Sequence, residues 1–293
     1  MKRILVLAML LPTLPAHAVE VALGRGDFTT TASLQGVMRA DLDLDITELS
    51  LSQPATRLGR LPLYWSARLD LFDSGFVNRV TDFASTPLRS DIPFFGGSAD
   101  DLAADYVPVP ADYRIHGIDF NVDLGWPLLE TPRGFIAIGA NTGITLPYMK
   151  TRNVKRDANL FLDLLQTTST EIRTYKLGPN LAARWALTPA LTLDAHWLLN
   201  RQWGQLDNDL LGSGIDIEGS YHRLDIGLRL QPKQWPRGFS WLQRGYLAAG
   251  FSRTRWDHDR TSVNIKQAAA SVPSELDMRF SSTVFSLGVG ISF

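Results

Sequence analysis

The chain closes on "TVFSLGVGISF", residues 283–293, where Phe285, Leu287, Val289, Ile291 and Phe293 alternate with Ser286, Gly288, Gly290 and Ser292. A period of two sends successive side chains to opposite faces of an extended strand. Chain ends fray unless something ties them down. An alternation unbroken to the last residue therefore marks a strand that is held.

The same pattern recurs upstream. "LPLYWSARLDLF" sets Leu61, Leu63, Trp65, Ala67, Leu69 and Leu71 against Tyr64, Ser66, Arg68 and Asp70. "IDFNVDLGW" sets Ile118, Phe120, Val122, Leu124 and Trp126 against Asp119, Asn121, Asp123 and Gly125. "YHRLDIGLRL" sets Leu224, Ile226, Leu228 and Leu230 against Arg223, Asp225, Gly227 and Arg229. About ten such segments are expected, near 19–28, 35–51, 59–73, 112–126, 133–147, 172–187, 191–204, 219–231, 243–256 and 278–293. Strands of a soluble sandwich run about five or six residues. These run to nine or more, the length of a tilted strand crossing a bilayer.

The connections sort by length. "QPATRLGR", "PLLETPR", "TPA" and "PKQWPRGFSW" are short, whereas 74–111, 148–171, 205–218 and 257–277 are long. Short turns at one end and long loops at the other are the asymmetry of outer-membrane barrels. Only the first connection, "TTTASL", breaks the pattern. The expected fold is all-β: a transmembrane antiparallel up-and-down β-barrel of about ten strands, with eight or twelve as the neighbouring counts. Trp65, Trp126, Trp185, Trp197, Trp203, Trp241 and Trp256 fall near segment ends, where an interfacial girdle is expected.

The N-terminus reads as an export signal. Lys2 and Arg3 precede the apolar run 4–11, and Ala16-His17-Ala18 supplies small residues for cleavage. Residues 1–18 are thus expected to be removed, leaving 19–293 as a single barrel domain in the outer membrane. Charge is balanced, with 29 basic and 30 acidic residues. That offers no basic face for nucleic acid. There is no cysteine, which removes disulfides, thiolate chemistry and Cys-ligated zinc. Neither a cofactor nor a metal site is expected.

The final strand resembles the C-terminal signature of Gram-negative outer-membrane β-barrel proteins, which ends in Phe after alternating apolar residues. The resemblance implies that Phe285, Leu287, Val289, Ile291 and Phe293 are read by the barrel-assembly machinery, with periplasmic chaperones as earlier partners. It also implies that this strand closes the barrel against the first. Outer-membrane lipids and lipopolysaccharide are the expected surroundings. In "MKTRNVKR", Lys150, Arg152, Lys155 and Arg156 are suited to lipid phosphates, or form an ordinary solvated charge run.

Catalytic alternatives leave thinner traces. Omptin-type proteases share this size and strand number and place an Asp–His pair in the fourth loop. That loop here reads "QLDNDLLGSGIDIEG" and holds no histidine. "WDHDR" offers Asp257, His258 and Asp259 in the last loop instead, with local ion pairs as the plainer reading. A lipid hydrolase needs Ser and His together; His116, His196, His222 and His258 lie in no His-x-Ser pattern. "GGSADDLAAD" and "ANLFLDLL" read as short helices in the second and third external loops, counting "TTTASL" as the first.

The inward set carries most of the functional expectation. Asp43, Asp45, Asp70, Asp119 and Asp123, with Arg68, form one wall; Lys176, Arg184, Arg223 and Arg229, with Asp225, form the other. Ala137, Gly139 and Gly143, and Ala22, Gly24, Gly26, Ala248, Gly250, Gly288 and Gly290, leave volume between them. Two readings follow. A porin-like narrow passive channel or small-solute-binding barrel is the first, since a transverse field orients dipolar solutes. The second is a closed structural or adhesion barrel in which opposed charges meet, with an outer-membrane enzyme as a further alternative.

Overall fold

Strand β2 (Met38–Arg57) shows how the barrel is layered. Within "DLDLDITELSLS", residues 41–52, side chains alternate faces without interruption, yet the apolar ones change face midway. Leu42, Leu44 and Ile46 point inward and are buried, while Asp41, Asp43 and Asp45 face solvent. Beyond Thr47 the inward positions are Glu48 and Ser50, and Leu49 and Leu51 are exposed. One half of the strand is therefore built like a soluble barrel and the other like a membrane barrel. Asp43 and Asp45, expected on the lumenal wall, lie outside. Period-two alternation separates two faces without saying which is the interior.

The computed structural model describes residues 18–34, 38–59, 61–84, 106–154, 169–208, 214–231, 244–265, 270–274 and 276–292. Besides β2, its strands are β1 (Ala18–Leu34), β3 (Tyr64–Asp73), β4 (Val77–Ala84), β5 (Tyr106–Thr131) and β6 (Gly134–Arg152). They continue with β7 (Ser169–Thr188), β8 (Leu191–Asn208), β9 (Gly214–Leu230), β10 (Gly245–Ile265), β11 (Ala270–Ser274) and β12 (Leu276–Ser292). Every pairing is antiparallel. β4 continues β3 and β11 continues β12, so the wall is ten-stranded. β1 closes it by pairing with both β2 and β12, from Ala18↔Ser292 to Leu34↔Leu276.

Each of the ten expected segments contains a strand, and most of these run longer; β3 begins only at Tyr64, inside the expected 59–73. Residues 29–34 belong to β1, and the ends of each long connection are strand that rises past the membrane. On β5, Ile118 to Trp126 supply the outward apolar positions, a span suited to a bilayer. Residues 106–117 then continue for about 40 Å of strand beyond it. The apolar band includes Leu71, Leu124, Leu177, Leu199, Ile226 and Leu287, all exposed. Trp126, Trp197 and Trp203 are exposed as girdle residues should be. Trp256 and Trp65 are buried instead, and Trp256 packs inside the barrel. Phe293, residues 1–17, Trp241 and the two loop stretches 96–105 and 158–165 lie outside the described residues.

The short turns are locally encoded. Thr131 Oγ1 accepts from the N–H groups of Arg133 and Gly134 (3.2 Å each), and Thr188 Oγ1 accepts from Ala190 (3.3 Å) and Leu191 (3.0 Å). Between β3 and β4 the wall carries a bulge, where Asp73↔His116 gives way to Val77↔Tyr113 with one extra residue. Gly75 takes φ 64° there, and its N–H donates to Asp73 Oδ1 at 2.8 Å. Along β2 the ladder to this strand stops at Thr47 and resumes only at Arg39. Ala40 to Ile46 thus pair with β1 alone, and Arg79 Nε donates to the Asp43 carbonyl at 2.8 Å on the open edge.

Candidate functional site

The inner face of the membrane-level barrel carries the only dense constellation of charged side chains among the described residues. Alternate positions on facing strands deliver it: Glu48 and Ser50 on β2, Arg68 and Asp70 on β3, Asp119 and Asp123 on β5. Lys176 comes from β7, His196 from β8, and Tyr221, Arg223 and Asp225 from β9. Arg68 donates to Asp70 (2.8 Å), Glu48 (3.2 Å) and Asp225 (3.2 Å). Arg223 donates to Asp70 (2.6 Å), Asp119 (3.2 Å) and Asp225 (2.9 Å). Each guanidinium therefore bridges strands from opposite walls.

Asp119 is the most saturated acceptor. It receives Lys176 Nζ, Tyr221 OH (2.7 Å), Thr145 Oγ1 (2.8 Å) and Arg223. Lys176 also lies over the Tyr221 ring at 3.7 Å. Its path crosses Gly143, where an added Cβ would meet the Lys176 Cε at 3.1 Å and the Phe120 carbonyl at 2.1 Å. The glycine expected to leave open volume leaves room for a cation instead. Asp123 accepts from Asn141 (2.7 Å), Asn180 (2.9 Å) and Ser66 (2.8 Å), with His196 at 3.4 Å.

A second cluster sits nearer the short turns. Arg184 pairs with Asp194 (2.8 Å), and Arg229 pairs with Asp194 (2.7 Å) and Glu20 (2.9 Å). Arg68, Asp70, Asp119, Asp123, Arg184, Arg223, Asp225 and Arg229 thus share the inner face. Glu48, Glu20, Asp194, His196 and Tyr221 join them without having been expected. Asp194 sat at a polar position between Leu193 and Ala195, and Glu20 at one between Val19 and Val21. The alternation could have found both.

Buried charges are tolerated only when paired and hydrogen-bonded, and here the pairing is mutual. Beside the network lies a cavity of about 120 Å³, lined by Glu20, Ala22, Arg68, Asn121, His196, Asp225, Arg229 and Gly250 among others. It has room for several waters or a solute of a few atoms. Toward the long-loop end the lumen turns apolar. Phe28 stands 5.7 Å from Phe72, 5.7 Å from Trp256 and 6.0 Å from Phe280, centroid to centroid. Above them Leu42, Leu44, Ile115, Ile215 and Ile217 complete an apolar layer. The void between the rings is about 10 Å³, at the limit for a single water.

The "WDHDR" pair does not assemble. Asp257 faces outward and pairs with Arg255 (2.7 Å), whereas His258 is buried inside against the Phe280 ring (5.7 Å). Neighbours on one strand point to opposite faces. Of "MKTRNVKR", Lys150 and Arg152 are outward on β6, and Arg152 stacks on Phe76 at 3.5 Å; Lys155 and Arg156 lie outside the described residues.

Outside the apolar band, Asp73 receives the Arg114 guanidinium and the Gly75 N–H, and the Arg114 bond holds its carboxyl below the ordinary value of 3.8.

No protein-family model matches the chain, and no curated protein does. Among solved structures, the outer membrane protease OmpT from Escherichia coli superposes with TM-score 0.56 at 10% identity, over 96% of this chain and 98% of that one. The translocator domain of the autotransporter NalP from Neisseria meningitidis gives 0.36 at 10% identity, over 100% and 95%. Ail, the attachment invasion locus protein of Yersinia pestis, gives 0.30 at 7%, over 94% and 98%. At these identities the OmpT likeness is one of fold, and the two lower scores add nothing to it. The closed ten-stranded ring, its outward apolar band and this fold make the chain an outer-membrane β-barrel.

Proposed function

We propose that this is a closed barrel whose function lies at its long-loop end rather than in conduction. One observation carries the reading: two successive obstructions, an ion-paired layer and an apolar layer, occupy the same lumen. Of the two readings open from the sequence, opposed walls that meet are favoured over walls that flank a pore. Among the described residues the two layers leave cavities of only about 120 Å³ and 10 Å³, and an ion entering the apolar layer would lose its hydration without replacement. The half that rises beyond the band, polar outside and largely apolar within, serves as a pedestal for the connecting loops. Export by cleavage after Ala18 and recognition of the final strand by the assembly machinery belong to the same reading.

The test is single-channel recording of the refolded protein in planar bilayers. A silent membrane, with heat-modifiable migration confirming a folded barrel, supports closure. Reproducible unitary currents would return the pore reading. The 120 Å³ cavity favours a second reading, retention of a small dipolar solute against Arg68, His196 and Arg229. Calorimetric titration with small zwitterions separates that from a purely structural barrel.

A further inference from the structure

Around the collar just beyond the apolar band, cations are generally matched by acids. Arg114 pairs with Asp73, Arg152 with Asp112, Arg173 with Glu171, Arg201 with Glu218, Arg255 with Asp257 and Arg279 with Asp277. Outward cations that depart from this include Lys150 on β6, which stands alone opposite Arg114, and two arginines that stand close together. Arg25 on β1 and Arg253 on β10 are exposed and make no ion pair among the described residues.

Their placement is specific. Arg25 stands opposite Phe285 in the ladder to β12, and Phe285 stands opposite Phe251 on β10. The two rings, with centroids 5.1 Å apart, end the apolar band in this sector. Arg253 comes one outward position higher, opposite Thr283. Strand spacing and rise put the two Cα atoms about 12 Å apart across β12. Outward Thr283 and Ser281 supply hydroxyls between them. The nearest acids on this face are Asp27, opposite Thr283 on the other side, and Asp45, opposite Asp27 on β2.

We infer that Arg25 and Arg253, with the Thr283 and Ser281 hydroxyls, form a site for the phosphorylated headgroup of an outer-leaflet lipid whose chains lie along Phe251, Phe285 and Leu287. At the depth where the apolar wall ends, lipid phosphates are the available anions. A guanidinium binds phosphate bidentately with charge-assisted hydrogen bonds. Its apolar stem lies along the aromatic ledge while the head reaches the phosphate. Asp27 and Asp45 together set an electrostatic limit on the affinity. The inference is independent of whether the lumen conducts.

The experiment is native mass spectrometry of the full-length mature protein released from neutral detergent. Bis-phosphorylated lipid A, its dephosphorylated form, phosphatidylcholine and inorganic phosphate are the probes. Wild type should retain lipid A, lose it with dephosphorylation, and keep it against millimolar inorganic phosphate. Arg25→Ala with Arg253→Ala should weaken retention about tenfold or more, whereas Asp27→Asn should strengthen it. All these positions are outward, and heat-modifiable migration verifies that each variant is folded. Equal retention by the double variant, or by dephosphorylated lipid, overturns the site. Displacement by inorganic phosphate shows simple anion binding and overturns the lipid assignment.

Discussion

Arg223 Nη1 meets Asp70 Oδ2 at 2.6 Å, joining β9 to β3 across the lumen from positions 153 residues apart in the chain. Neither side chain can turn to water, because both are almost wholly buried. The contact is therefore a strut that fixes the distance between opposite walls.

Truncating that strut should be costly. Arg223→Ala leaves Asp70, Asp119 and Asp225 short of a shared donor, and removing one member of a buried pair costs about 3–5 kcal/mol. The expected outcome is a clear drop in the midpoint of urea unfolding, followed by tryptophan fluorescence in detergent. An unchanged or raised midpoint would mean that the network is merely tolerated.

Neutralising the ionic layer alone should not open the barrel. Arg68→Ala combined with Arg223→Ala leaves the Phe28, Phe72, Trp256 and Phe280 layer intact above it. Bilayer recordings of the double variant should stay silent. Steady currents would show that the charged layer is the sole barrier.

The change of face along β2 makes a paired prediction. Leu44→Ala removes a buried side chain from the apolar layer and should cost about 2–5 kcal/mol. Asp43→Ala, one residue away but in solvent, should stay within about 0.5 kcal/mol. Comparable losses in the two variants would contradict the assigned faces.

The unpaired edge of β2 should be visible by hydrogen exchange. Amides of Ala40 to Ile46 directed at β4 lack ladder partners, while those directed at β1 are held. Alternate amides in this stretch should exchange much faster than their neighbours. Uniform protection would show the seam to be closed in solution.

Acid should loosen the bulge beside Asp73. Its carboxyl is held low in the folded chain by Arg114, so the contribution is complete above the ordinary 3.8 and is lost as the pH falls through the lower folded value. Wild type should protect the amides of residues 74–76 better than Asp73→Asn at neutral pH, with the difference vanishing in strong acid. A difference that persists there would assign the effect to shape rather than charge.

Long alternating runs and sorted loop lengths were enough to read a ten-stranded membrane barrel from the chain, because a period of two and the bilayer's thickness act locally. The same local logic placed Asp119, Arg223 and Asp225 on one face of their strands. It failed at Asp43 and Asp45, where alternation continues but the surroundings change from lipid to water, so apolar residues move from outside to inside. It could not show that Arg68 and Arg223 would touch acids on the far wall, since those distances are set by closure of β1 on β12. Sequence periodicity determined the strands and their two faces. Only the closed barrel decided which face was interior at each height, and that the charges across it meet, because both depend on contacts between residues far apart in the chain.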